Sequence, residues 1–201
     1  MRTPSGSTLV VNAQLAEQAT FGDIFSTPSL VQKLLPVYDF RARFAVDVCA
    51  PGHRVYRIAR DFDLASIVQA RAFLRLRGIR SGVVTFSDLG AIGLRPLAEQ
   101  PDSEFVLGAA GTLWWPTAAF KPLTAEEFPE PSHDGTIKAA FTVRVVGGNR
   151  SLARLSTEVR VYCHGTAARR RCSAFWFLAR PVLTLILREM LWDMKRAAES
   201  G

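Results

Sequence analysis

The sequence predicts an α+β domain in which an antiparallel sheet holds a long C-terminal helix on its concave face, with two short helices after the first strand. Three observations carry this. Ile137 to Val146 and Leu152 to Cys163 each alternate apolar and polar positions, the two-residue period of half-buried strands. Ala168 to Glu199 then repeats at helical spacing, with no break in composition between strands and helix. Phe40 to Ala50 alternates as well, and two helical runs follow it. Strands closed by a helix across their concave face describe a container for an apolar molecule more than a catalytic centre.

The bulk numbers fit this reading. At 201 residues and 48% hydrophobic, the chain suits one domain with a sizeable core plus an extension. The expected division is an N-terminal extension over 1–36 with short helices, then the sheet-and-helix domain over 37–201. The net charge of +7 raises nucleic acid as a partner, but 21 of the 25 basic residues are arginines scattered along the whole chain. Only Arg169, Arg170 and Arg171 form a run, and no zinc spacing, RNA-binding aromatic motif or basic tail accompanies it. No nucleic-acid partner is expected. Cys49, Cys163 and Cys172 include no Cys-x-x-Cys pair, so neither a disulfide framework nor a metal site is expected, and a reducing cytoplasm fits best. Met1 to Thr20 lacks an apolar run long enough for an export signal. The greasiest segment, Val182 to Trp192, holds Arg188 and Glu189 and falls far short of the roughly 20 apolar residues of a membrane span. A soluble cytoplasmic protein is the expectation.

Element by element, a helix is expected near Val10 to Gln18, and Thr27-Pro28 reads as the opening of a short helix through Leu35. In the first strand Phe40, Ala42, Phe44, Val46 and Val48 share one face and Arg41, Arg43 and Asp47 the other. Pro51 opens a helix in which Val55, Ile58 and Ala59 align; Asp61 to Asp63 breaks it before a second helix from about Leu64 to Arg77, capped by Gly78. Val83 to Asp88, Leu94 to Glu99 and Glu104 to Trp115 read as strands between Gly and Pro punctuation. Pro116 to Gly135, with four prolines and an acidic patch, reads as a long loop able to serve as a lid. Gly147-Gly148-Asn149 is the hairpin signal joining the last two strands. Phe141, Val143 and Val145 face the same side as Leu155, Thr157, Val159 and Val161, and Arg144, Glu158 and Arg160 on the other side read as cross-strand pairs in solvent. On the final helix Leu183, Leu187, Met190, Leu191, Met194 and Ala198 form the packing side, and Pro181 predicts a kink near Leu178 to Pro181. Leu185 and Trp192 project from the charged side, where packing of the N-terminal extension is the expected contact and a partner or a membrane surface the alternative.

Several segments resemble the SRPBCC or START-like superfamily and its helix-grip fold. Ala50-Pro51-Gly52-His53-Arg54-Val55-Tyr56 looks like its first strand-to-helix junction, and Glu104-Phe105-Val106-Leu107-Gly108 with Gly111 and Trp114 looks like its next recurring block. Ser156 to Val161, then Ala168 to Arg171, Trp176, Arg180-Pro181 and Arg188, is similar to the end pattern of an uncharacterised bacterial subgroup. The similarity spans residues 37 to 200. It departs from that subgroup at Val182 and Leu183, where small or polar residues are usual, and at Cys172, where an aromatic is usual. The resemblance implies a sheet wrapped around the C-terminal helix, with a pocket for hydrophobic compounds. Members bind lipids, sterols, quinones or polyketides, and some catalyse cyclisation, dehydration or hydrolysis; the subgroup offers no catalytic residue to carry over.

No reactive motif stands out. His53, His133 and His164 fall at a helix start, a loop and a turn, where solvated or capping roles are expected. His133-Asp134 is the candidate general base if the loop covers a pocket. Glu99, Asp102 and Glu104 read as a solvated turn. No Gly-x-Ser-x-Gly elbow, phosphate loop or dinucleotide fingerprint is present, so no cofactor is expected. Arg169 to Arg171 are expected to pair with acids such as Glu158, or to meet an acidic ligand group. By facing, the expected ligand-binding residues are Trp114, Phe141, Val143, Thr157, Val159, Trp176, Leu183, Leu187 and Met190. Trp114 and Trp176 are the preferred pair, because an indole offers one donor on an apolar body. The expected function is non-enzymatic binding or carriage of a small hydrophobic ligand such as a lipid, quinone or polyketide; the alternative is a polyketide cyclase or dehydratase using the same cavity.

Overall fold

The computed structural model describes residues 28–76, 82–112, 119–121, 123–130, 133–149 and 151–200. The expected helix at Val10 to Gln18 and Trp114 lie outside the described residues. The elements in order are α1 (Leu30–Leu34), β1 (Phe40–Val48), α2 (Gly52–Arg60), α3 (Val68–Leu76), β2 (Arg95–Gln100), β3 (Glu104–Thr112), β4 (Ala119–Lys121), β5 (Ile137–Asn149), β6 (Leu152–Cys163) and α4 (Gly165–Glu199), with 3-10 turns at Leu64–Ser66 and Phe86–Ile92. The sheet is antiparallel throughout, ordered β1-β6-β5-β3-β2, with β4 also pairing β3. It curves around α4. The fold is α+β and helix-grip in form, with α2 and α3 after β1 as expected.

Register follows the alternation. Phe141 pairs with Val159, Val143 with Thr157 and Val145 with Leu155, while Phe44 pairs with Thr157 and Val46 with Leu155 on the other side of β6. Their side chains stack on the concave face, where Leu187, Met190, Leu191 and Met194 of α4 close the main core. The hairpin turn falls two residues later than the glycines indicate. Asn149 still pairs with Leu152, and Gly147-Gly148 lies within β5 at an irregularity in register. Here glycine serves a bulge rather than the turn.

Other expected elements differ from the structure. Val83 to Asp88 is not a strand: Phe86–Ile92 is a 3-10 turn. The Thr85 amide and hydroxyl both donate to the Asp88 carboxylate, at 2.8 and 2.9 Å, and this local capping outcompetes strand pairing. The short N-terminal helix starts at Leu30 rather than Pro28, because the Ser29 amide donates to the Gln32 side chain at 2.9 Å and sets the first turn there. The second helix is split. Asp63 accepts from the Ala65 amide to make a 3-10 turn before α3 begins at Val68. Its expected end at Arg77 and Gly78 lies outside the described residues. The last helix begins at Gly165, three residues before the predicted start, and continues through Pro181 as one element.

The convex face of the sheet is also covered. Val31 and Leu35 of the N-terminal segment meet Leu97, Val106, Ala140 and Phe128 in a second apolar cluster. Phe128 belongs to the loop expected as a lid, so residues 123–130 pack on the side of the sheet away from the concave core. An added Cβ on Gly108 would stand 2.2 Å from Leu97 Cδ1 and 2.9 Å from the Phe128 ring, so the glycine is what admits this close layer. Glu158 and Arg160, expected in solvent, are 6% and 3% exposed. Glu158 is held by Arg41 at 2.8 Å and by Arg160 at 2.6 Å. Arg160 also donates to the Leu35 carbonyl at 2.8 Å, closing the C-terminal end of α1. At its other end the Leu30 amide donates to buried Glu104 at 2.9 Å, so α1 is clamped between two charged groups of the sheet. Burial alone would raise the Glu158 carboxyl, but the hydrogen bonds from Arg41 and Arg160 outweigh it and hold it below the usual carboxylate range.

Candidate ligand cavity

α4 touches the sheet firmly only near its two ends. Ala168 and Cys172 are buried against Ile137, Val161 and Cys163, and Leu187, Met190, Leu191, Met194 and Ala198 are buried against the main core. Between residues 173 and 186 no side chain of the helix is fully buried. Beneath this span lies a cavity of about 300 Å³. Its sheet wall is Ile137, Ala139 and Phe141 of β5 with Val159 and Val161 of β6, and its helix wall is Cys172, Phe175, Trp176, Leu183, Ile186, Leu187 and Met190. Leu64, Ala70 and Leu74, with Phe86, Leu89 and Leu94, close the remaining side. Small side chains at Ala139 and Ala70 leave space that larger ones would fill in a close-packed interior.

Aromatic pairs stiffen both ends of the wall. Phe86 stacks on Phe141 with centroids 5.4 Å apart and meets Phe105 at 5.0 Å. Trp176 leans on Phe40 at 5.5 Å. Among the lining side chains only the Cys172 thiol, the Trp176 indole N–H and the Met190 thioether have any hydrogen-bonding capacity. The Cys172 thiol is in contact with that of Cys163, which is pushed well above the usual thiol range by this contact and by burial. Both are free thiols, as is exposed Cys49.

Six of the expected ligand-binding residues line the cavity: Phe141, Val159, Trp176, Leu183, Leu187 and Met190. Val143 and Thr157 do not. They face each other one pair further along the same side of the sheet, where packing is complete, and the Thr157 hydroxyl is spent on the Thr142 carbonyl at 2.9 Å. Phe175, Ile186, Cys172 and the 3-10 segment containing Phe86 were not anticipated. Phe175 and Ile186 adjoin predicted positions on the helix, but Phe86 carries no periodic signal because its segment is too short to show one.

The acid-base candidates lie elsewhere. His53 is exposed in the first turn of α2, and His133 is exposed in the turn before β5. Asp134 sits against Gly165 at the start of α4. His164 packs edge-on to Tyr162 at 4.7 Å, and burial with nearby Lys138 lowers its pKa from the usual imidazole value. Glu99 accepts from the Tyr56 hydroxyl at 2.6 Å and pairs with Arg60 at 3.1 Å, and both hold its carboxyl low. Glu104 is buried on the convex face rather than solvated in a turn. Arg169 pairs with Asp39, not with Glu158. None of these groups is on the cavity wall. Among the described residues no group of three or more His, Cys, Asp and Glu side chains is placed to hold a metal ion, and no helix is long and apolar enough to cross a membrane.

Comparison with known proteins adds likenesses of shape. No protein-family profile matches the chain, and no curated protein is similar to it in sequence. Among solved structures, a hypothetical protein from Helicobacter pylori is similar at 13% identity and a TM-score of 0.40, over 87% of this chain and 96% of that one. A conserved protein from Geobacillus kaustophilus is similar at 9% identity and a TM-score of 0.38, over 79% and 97% of the two chains. The Zhui aromatase/cyclase from Streptomyces sp. R1128 is similar at 10% identity and a TM-score of 0.26, over 80% and 96%.

Proposed function

We propose that this protein binds and carries one compact hydrophobic molecule in the cavity between the sheet and α4. The observation that carries the reading is an apolar space of about 300 Å³ whose described wall has no carboxylate or imidazole. That volume is at the low end of the roughly 300–1,000 Å³ range of small-molecule sites. It favours a ring system such as a quinone head or a short polyketide over a two-chain lipid. Phe86, Phe141 and Trp176 supply flat surfaces for stacking, and the Trp176 N–H supplies one donor for a ligand carbonyl. A cyclase or dehydratase would need an acid or base beside the bound carbonyl, and the described wall offers neither, so carriage stands ahead of catalysis. The three free thiols fit a reducing compartment such as the cytoplasm.

Native mass spectrometry of the purified protein, followed by organic extraction, tests this. One apolar molecule per chain is expected, either co-purified or taken up from a library of quinones and polyketides. A protein that stays unliganded against the whole library would contradict the proposal.

A further inference from the structure

The outer side of the same helix presents a second apolar surface. Phe177 and Leu178 are 80% and 74% exposed, and Val182 and Leu185 are 51% and 43% exposed. These four, with Pro181 among them, fall on one side of two successive turns, and Trp192, 50% exposed, lies seven residues beyond Leu185 on the same side. Single exposed apolar residues are ordinary, but a contiguous group marks a contact surface. Up to Arg188 the charge beside it is basic, while Glu189 and Asp193 sit beside Trp192 at the far end. From Gly165 to Arg188 the helix carries five arginines and no acid, and the first carboxylate is Glu189. Among the described residues Arg170, Arg180 and Arg188 make no ion pair, although all three are exposed. Arg170 precedes the ridge by two turns and Arg188 follows Leu185 by one, so unneutralised guanidinium groups flank it at both ends.

We propose that this face of α4, from Phe177 to Trp192, docks on the surface of a bilayer containing anionic lipids. Such a surface supplies both chemistries that the face asks for. Its acyl boundary receives the side chains of Phe177, Leu178, Val182 and Leu185, and its phosphates receive the arginines bidentately, with the arginine stems lying along the apolar layer. Docking is peripheral, since no described helix is long and apolar enough to cross a membrane. Phe175, Trp176, Leu183 and Ile186 of the same helical span line the cavity, so docking sets the cavity wall against the bilayer, the natural reservoir of hydrophobic molecules. The docking itself does not depend on what the cavity holds.

The test is co-flotation of the full chain with vesicles. Binding to phosphatidylcholine vesicles containing phosphatidylglycerol is expected at low salt, and about tenfold less binding to phosphatidylcholine alone or at high salt. Replacing Phe177→Ser and Leu178→Ser together should reduce flotation about tenfold. Because both residues are exposed, the same variant should keep the wild-type melting temperature and ligand uptake, which separates failure of docking from failure of carriage. Absence of flotation by the wild type, or equal flotation of the variant, would overturn the proposal. A wild-type dimer that the double substitution converts to monomer, without vesicle binding, would assign the face to a second copy and overturn it. Vesicle binding that emerges only when residues 1–27 are removed would assign the face to the N-terminal segment, again overturning it for the full chain.

Discussion

Leu187→Trp should lower affinity for N-phenyl-1-naphthylamine, a neutral apolar fluorophore, by at least about tenfold, equivalent to about 1.4 kcal/mol. Leu187 is 2% exposed and points into the cavity from α4. An indole at this position has nowhere to go except the free space, so it competes directly with the ligand. Overpacking a filled core costs about 1–3 kcal/mol, and the adjoining cavity should keep the cost at the lower end, leaving a folded protein. Ala139→Leu fills the same space from the sheet wall and should act alike. Fluorescence titration measures both variants. Unchanged affinity in both, with wild-type melting curves, would place the binding site elsewhere.

Glu158→Leu should destabilise the protein by about 3–5 kcal/mol, the cost of removing one partner from a buried ion pair. It leaves the Arg160 guanidinium, 3% exposed, without its counter-charge beneath α1. The double variant Glu158→Leu, Arg160→Met should recover much of the loss, because both charges leave the interface together, although the Leu35 carbonyl then loses its donor. Urea unfolding of the two single variants and the double completes the cycle. The same pair sets a pH dependence. Glu158 is held below its unfolded value of about 4.3, so its contribution is fully present above that pH and is lost as pH falls through the lower folded value. The wild type should therefore lose stability on acidification below about pH 4.3, and Glu158→Leu should lack that part of the loss.

What the sequence made legible was whatever repeats. The β5–β6 hairpin and the packing side of α4 declared themselves because alternation and helical spacing persist over ten or more residues, enough to place Phe141, Val159, Leu183, Leu187 and Met190 around one space. Periodicity could not distinguish wall from filler. Val143 and Thr157 carry the same alternation as Phe141 and Val159, yet α4 seals their level and not the next. The boundary depends on how Leu187 to Ala198 and Ala168 to Cys172 seat on opposite ends of the sheet. The convex face was misread for a related reason. Arg160 and Glu158 alternate with apolar residues as solvent-facing charges do, and the groups that enclose them are Leu35, Tyr38 and Arg41, each distant in sequence from β6. Phe86 was missed because local Thr85–Asp88 capping made a short 3-10 turn where a strand was expected.

In the proposed carrier the ligand lies inside, between β5, β6 and α4. Methyl nuclear Overhauser contacts from bound N-phenyl-1-naphthylamine test it most directly. Contacts to the methyl groups of Ala139, Leu183, Ile186, Leu187 and Met190 are predicted. Contacts confined to Leu178, Val182 and Leu185 on the outer face of the helix would contradict it.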